Sequence, residues 1–196
     1  MAAMPVFVVD KPLGLSSHDV VARARRLLGT RRVGHAGTLD PLASGVLVLL
    51  ADEATKLSAF LSASDKHYLA WVAFGASTPT LDAEGPLEPR QDASSLTPEQ
   101  VADALRPFLS LSEQLPPRYA AVKVGGVKGY EAARRGEALE LAPRPVGYRR
   151  VRLLAFASRP DELPQRFASG PEGWSPAADG RSFALPMPLG DFPTAL

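Results

Sequence analysis

Residues 34–47 read GHAGTLDPLASGVL, a single carboxylate, Asp40, enclosed by small, apolar and turn-forming residues. His35 stands five positions before it and Pro41 directly after it. Gly34, Gly37 and Gly45 allow a close backbone approach and a positive φ, and Pro41 fixes the turn that follows Asp40. The stretch reads as a loop built to hold one carboxylate in a defined place. Such a group serves as a nucleophile, a general base, a metal ligand or a structural cap. A metal would want further carboxylates or imidazoles, and only His35 is close in sequence. A two-carboxylate glycosidase would want a second acid, which the stretch lacks. Taken alone, an Asp-Pro turn is more often structural than catalytic.

Outward from this loop the chain alternates short apolar runs with helical periodicity. VFVV (6–9) and VLVLL (46–50) read as strands. Between them, Val20, Val21, Ala24, Leu27 and Leu28 mark one face of a helix, with Ser17 as the expected N-cap and Gly29 as its stop. DEATKLSAFLSA (52–63) predicts a helix burying Leu57, Phe60 and Leu61, and HYLAWVAFG (67–75) predicts a strand. TPEQVADALRPFL (97–109) has the clearest start in the chain, with Thr97 as cap, Pro98 in the first turn and Gln100 completing a capping box. Its predicted buried stripe is Val101, Ala104, Leu105 and Phe108. RYAAVKV (118–124) predicts a strand, Gly125-Gly126 a turn, GYEAARRGE a short helix ended by Gly136, and YRRVRLLAF (148–156) another strand. From Ser158 to Leu196 the chain is rich in Pro, Gly and Ser, and an irregular tail is expected. Strands and helices intermix without regular βαβ alternation, which indicates α+β rather than a doubly wound fold.

Composition narrows the function. A chain of 196 residues, 45% apolar, suits one sizeable domain. The absence of cysteine removes disulfides, thiolate nucleophiles and Cys-based zinc sites. No basic, apolar leader opens the chain, and no apolar run reaches the length of a membrane span, so a cytoplasmic protein without membrane contact is expected. Net charge is only +1, yet the charges are uneven. Arginines 23, 25, 26, 31 and 32 cluster before the loop, a second basic stretch runs from Arg118 to Arg150, and 82–103 is mostly acidic. A basic face of this kind can bind a phosphate backbone, and it can equally be solvated surface.

GHAGTLDPLASGVL closely resembles the signature of the bacterial tRNA pseudouridine synthase B family. VDKPLGLSSHDVV (9–21), KHYLAWVAFGASTPTLDAEG (66–85) and LPPRYAAVKVGGVKGYEAARRGE (115–137) resemble further family motifs in the family's order. The likeness spans roughly residues 5–156. It implies a mixed, largely antiparallel sheet flanked by helices. It also implies isomerisation of a T-arm uridine of tRNA, uridine 55, without cofactor or metal, by a monomer. Asp40 falls on the family's nucleophile and Tyr68 on its active-site tyrosine, whose ring stacks on uracil and whose hydroxyl can relay a proton. The target base must leave its stack, and the resemblance gives His35 a part in that step. Lys11 matches the motif lysine, either neutralising phosphate or bracing the aspartate loop. Thr80 and Asp82 are implied as RNA contacts, as are Lys123, Tyr130 and Arg134 in an insertion at about 112–147 that would order on RNA. The expected organisation is a catalytic-type domain over 1–157 and a tail over 158–196. The family's later arginine-bearing strand and its C-terminal RNA-binding domain have no counterpart in the sequence, so an incomplete sheet is expected. A non-catalytic tRNA-binding protein or RNA chaperone is the alternative function.

Overall fold

The computed structural model describes residues 4–88, 91–117, 119–120, 122–137, 139–183 and 194–195; the side chains of 123, 124, 127, 128, 130, 131, 134, 194 and 195 lie outside that description. The chain divides into two compact units, Met1–His67 and Tyr68–Leu196. Helices and antiparallel sheets make up both, so the fold is α+β, as the mixed pattern of elements indicates.

The first unit is a three-stranded sheet under one helix. Strand β1 (Val6–Lys11) pairs antiparallel with β3 (Gly45–Ala51) from Val6↔Leu50 to Lys11↔Gly45. The other edge of β3 takes β2 (Val33–His35), with His35 opposite Leu49. Helix α1 (Ser17–Leu28) contributes Val20 and Val21, which pack with Val33, Leu47, Leu49 and Ala51 into a buried core. The helix begins one residue earlier than the apolar stripe suggests. Ser16, not Ser17, is the N-cap: its hydroxyl accepts from the Asp19 N–H at 3.2 Å, and the Asp19 carboxylate accepts from the Ser16 N–H at 2.9 Å. This reciprocal box satisfies two otherwise orphaned donors and leaves the Ser17 side chain facing inward. Gly29 closes the helix at φ 64°. The stretch after β3 is a 3-10 helix, Asp52–Leu57, running into a short α2 (Ser58–Ser62). It buries Ala54 rather than Phe60, which is 76% exposed, because a 3-10 segment of three residues per turn running into a short α-helix does not keep a single 3.6-residue stripe against the sheet.

In the second unit, β4 is confined to Val72–Ala73, helix α3 spans Pro98–Leu105, and β5 is Glu113–Gln114. The capping box of α3 forms as its sequence indicates, with Thr97 accepting from the Gln100 N–H and Gln100 accepting from the Thr97 N–H. Only Val101 of its expected stripe is buried; Ala104 and Phe108 are exposed, and the Phe108 ring meets Tyr148 edge-on at 5.5 Å. Strands β6 (Lys123–Val124) and β7 (Val127–Lys128) form a hairpin through Gly125-Gly126, followed by α4 (Gly129–Arg134). The expected strand at 118–124 thus reduces to its last two residues, with Arg118 and Ala121 outside the described residues. Strand β8 (Arg144–Pro145) pairs with β5 and so closes 115–143 into one long excursion.

The remaining strands correct the expectation of an irregular tail. Strand β9 (Phe156–Ala157) is followed by β10 (Arg166–Gly170), β11 (Gly173–Pro176) and β12 (Arg181–Ser182), the last three forming an antiparallel sheet in the order β11-β10-β12. Phe167 has no exposed surface, Leu163 is nearly as buried, and both pack against Leu69, Trp71, Leu154, Trp174 and Phe183. The prolines and glycines that look like breakers are turn residues here. Pro171 and Glu172 form a two-residue connection between Gly170 and Gly173, and Gly173 takes φ 93°, which a side chain would resist. Strand β13 (Thr194–Ala195) lies between β4 and β9. Residues 184–193 and 196 of the expected tail lie outside the described residues.

Candidate active site

Asp40 is exposed, on a loop whose backbone is fastened on both sides of it. The Ser17 hydroxyl donates to the Leu39 carbonyl at 3.0 Å and accepts from the Leu39 N–H at 2.9 Å. The Pro41 carbonyl accepts from the Gly14 N–H at 2.8 Å, and the Asp40 carbonyl accepts from the Ala43 N–H at 3.0 Å. Gly37 and Gly45, at φ 120° and 139°, turn the chain out of β2 and back into β3. Gly34 needs no such freedom: it sits within β2 opposite Leu50. The start of α1 and the turn before it therefore act as a jig that fixes the residues flanking the carboxylate.

Below the loop lies Lys11, the last residue of β1, with no exposed surface. Its ammonium donates to the Leu15 carbonyl at 2.7 Å and to the Pro12 carbonyl at 3.0 Å. Burial lowers its pKa from the ordinary lysine value, and attraction to the Asp40 carboxylate opposes that shift. In this conformation the ammonium is out of reach of an external phosphate. Its hydrogen bonds brace the turn that holds Pro41, and its charge faces the carboxylate.

His35 ends β2, half-buried, with its carbonyl accepting from the Ser58 hydroxyl at 3.2 Å. Its Nδ1 is buried and has no hydrogen-bond partner among the described residues. A buried polar atom of this kind carries a desolvation cost, and Arg25 Nε and Trp71 Nε1 share it among the described residues.

In the second unit Tyr68 is 71% exposed and precedes β4 instead of lying in a strand. Its neighbours Leu69 and Trp71 turn into the aromatic core, where Trp71 meets Phe167 edge-on at 6.2 Å. Thr80 and Asp82 are paired with each other: the Thr80 hydroxyl donates to Asp82 Oδ1 at 2.7 Å, and the Glu84 N–H donates to the same oxygen at 2.9 Å. Buried Thr78 completes the turn, donating to the Asp82 carbonyl and accepting from its N–H. The backbones of Lys123, Tyr130 and Arg134 lie in β6 and α4, and their side chains are outside the described residues. The structure thus brings Lys11 to Asp40 in one unit and Thr80 to Asp82 in the other. Sequence reading gave Ser17 the role of helix cap, which belongs to Ser16, and passed over Thr78. A signal for Ser17 was present, since the Ser16-x-x-Asp19 spacing moves the cap back one residue and frees the next hydroxyl.

Among the described residues no group of three or more His, Asp or Glu side chains could hold a metal ion, and no helix is long and apolar enough to cross a membrane.

A family model described as TruB family pseudouridylate synthase, N-terminal domain, matches residues 25–170, a range that includes the Asp40 loop, Tyr68 and β10. A tRNA pseudouridine synthase B of Thermus thermophilus is 55% identical over 194 residues, covering 98% of this chain and 61% of that protein. The protein of the same name from Deinococcus radiodurans is 50% identical over 193 residues, covering 98% and 62%. One from a Mycobacterium strain is 48% identical over 151 residues, covering 77% and 51%. The chain spans less than two thirds of the length of these relatives.

Proposed function

The chain belongs to the TruB family of pseudouridylate synthases, and on that premise we propose that it isomerises the T-arm uridine of tRNA, uridine 55, to pseudouridine, with Asp40 as nucleophile. The observation that carries the reading is the Asp40 loop itself. An exposed carboxylate is flanked by backbone groups clamped through Ser17 and Gly14, above a buried ammonium that faces it. That is more construction than a turn cap requires, and it is what a group that must attack and then leave requires.

The reaction is a rearrangement within one nucleotide. The N1–C1′ bond breaks, the uracil turns while held, a C5–C1′ bond forms, and the proton on C5 departs while N1 gains one. Asp40 adds to an electrophilic carbon of the nucleotide and is later expelled, so no cofactor or metal is consumed. Tyr68 offers an exposed ring to stack on the uracil and a hydroxyl to carry the C5 proton. His35 holds the region vacated by the extruded base. Thr80 and Asp82 shape a loop against the RNA, and Lys123, Tyr130 and Arg134 contact it from the excursion between β5 and β8.

The test is tritium release from tRNA carrying 5-tritiated uridine, run beside a tRNA-binding titration. Wild type should release tritium, and Asp40→Asn should abolish release while binding stays within about twofold, because only the covalent step is removed. Release by Asp40→Asn at the wild-type rate would remove Asp40 from the role. Binding without release by wild type would refute catalysis and leave RNA binding as the function of this chain.

A further inference from the structure

From Val20 to Leu39 the chain carries five arginines and no aspartate or glutamate, and the next acid is Asp40 itself. The structure sorts these arginines into two kinds. Arg25 and Arg32 serve the fold. Arg25 is half-buried and donates to the Val33 carbonyl at 3.0 Å, tying α1 to β2, and Arg32 pairs with Glu53 at 3.0 Å. Arg23, Arg26 and Arg31 are exposed. The side chains of Arg26 and Arg31 make no ion pair or hydrogen bond among the described residues. Arg23 feels Asp19, one turn earlier, but that carboxylate already accepts from the Ser16 N–H and hydroxyl. The two acids that follow β3 are taken as well. Asp52 accepts from the Thr30 hydroxyl at 2.8 Å, and Glu53 is shared by Arg32 and Lys56. A local excess of positive charge is therefore left standing at three exposed guanidinium groups.

Placement indicates what these groups meet. Helix α1 turns Val20, Val21 and Ala24 into the core, so Arg23 and Arg26, three residues apart, stand side by side on its outward face. Gly29 ends the helix, and Arg31 follows it. This surface is tied to the Asp40 loop. Ser17, the first residue of the helix, clamps Leu39, and Arg25 fastens the far end to the strand that leads to His35. At 1.5 Å per residue, Arg23 and Arg26 stand about 9 and 14 Å along the helix from that clamp. The distance suits the phosphates that flank a nucleotide at Asp40, not the nucleotide itself. With its valines turned into the core, the helix keeps no broad apolar face to enter a bilayer. We propose that Arg23, Arg26 and Arg31 form a second RNA-binding surface, which grips the phosphate backbone beside the target nucleotide independently of the excursion between β5 and β8. Guanidinium groups suit that task, since they stay charged and meet phosphate oxygens in pairs. The proposal rests on the reading of this chain as an RNA-modifying protein, and it assigns the unit that carries Asp40 a share of the RNA affinity.

The experiment uses the full chain and a fluorescently labelled T-arm hairpin RNA, titrated at several salt concentrations, with thermal melting of each variant. The triple variant Arg23→Gln, Arg26→Gln, Arg31→Gln should bind about 10–100-fold more weakly at about 0.1 M salt. Its slope of log affinity against log salt should flatten by about two, since each lost phosphate contact removes about 0.7–0.9. Lysine at the same three positions should restore most of the slope, because the charge is kept. Arg106→Gln is the control: this arginine is also exposed but pairs with Asp103 at 3.0 Å, and its loss should leave the slope unchanged. Arg31→Gln alone lies outside the helix and should flatten the slope by about 0.7–0.9, which keeps the test readable if the triple variant melts early. A wild-type slope in Arg31→Gln or the triple variant, an equal flattening by Arg106→Gln, or no recovery with lysine would each overturn the surface while leaving the proposed function standing. Failure of wild type itself to bind the hairpin would instead refute the functional reading, and the surface with it.

Discussion

Ser17→Ala tests the claim that Asp40 is held by its neighbours. Ser17 is 2% exposed, and its hydroxyl is both donor to the Leu39 carbonyl and acceptor from the Leu39 N–H. Alanine removes both bonds and leaves two partly buried backbone groups of Leu39 without the Ser17 partner. Each such group costs about 1–3 kcal/mol. Partial access of water on the Asp40 side sets the expected loss at about 2–4 kcal/mol, or a fall of very roughly 4–16 °C in melting temperature for a chain of this size. Ser16→Ala is the control. It removes the N-cap of the same helix, for about 1 kcal/mol, without touching the loop. Thermal melting and tritium release are measured on both variants. Ser17→Ala should lose more stability than Ser16→Ala and should also lose turnover at saturating tRNA, because a loosened Leu39 lets the carboxylate wander from its attacking position. If Ser17→Ala melts no lower than Ser16→Ala, or is less stable but turns over normally, the jig described above does not hold the Asp40 carboxylate in place for the proposed reaction.

Two further outcomes follow from burial. Lys11 has its pKa lowered in the folded chain by burial. The cost of keeping it charged is therefore fully present below its folded pKa, and it is relieved as pH rises from there to the ordinary lysine value. The stability difference between wild type and Lys11→Met should shift in favour of wild type across that alkaline window, as read by denaturant unfolding at stepped pH; a flat difference would mean that Lys11 titrates as an exposed lysine does. Phe167→Ala should destabilise the second unit by about 3–5 kcal/mol, since the ring is fully buried and lies between Trp71 and Phe183; an unchanged melt would mean that the segment after Ser158 does not pack as described.

What was legible in the sequence was what local rules govern. The first turns of α1, the capping box of α3 and the Gly125-Gly126 turn depend on residues a few positions apart, and they form where their spacing puts them, although of the expected α1 face Val20 and Val21 are buried while Leu27 and Leu28 are exposed. Strand β2 was missed because three residues are too few to show a period. The expected strands at 67–75 and 148–156 shrink to Val72–Ala73 and Phe156–Ala157 because their shared partner is Thr194–Ala195, far along the chain, and hydrophobicity alone does not say where a strand finds its partner. The tail was misread for a different reason: Pro171 and Gly173 were weighed as breakers, although a proline one residue into the connection and a glycine at its end also signal a tight turn between strands. At the candidate site, the sequence marks Asp40 by its setting but cannot show that Lys11 is buried beneath it, since a Lys-Pro turn reads as surface.

The way the Asp40 loop is held has a consequence for how the chemistry tolerates change. The clamp from Ser17 to Leu39, the bond from Gly14 to Pro41 and the brace of Lys11 on Pro12 and Leu15 all begin and end within Met1–His67. Two of these segments, 11–17 and 39–41, are joined through the same sheet, because Lys11 faces Gly45 across β1 and β3. The geometry around the Asp40 carboxylate is thus set by short segments anchored to one small core of valines and leucines. Tyr68 and the Thr78–Asp82 turn belong to the other unit, whose core is aromatic and is built partly from residues beyond Ser158. Substitutions in the first core should therefore reach turnover through the position of the carboxylate. Substitutions in the second should, on the proposed function, reach it through Tyr68 and the Thr78–Asp82 turn, and so through affinity as well as rate. The kinetic signature of a variant, a fall in turnover alone or a fall in turnover with binding, then reports which core it disturbs.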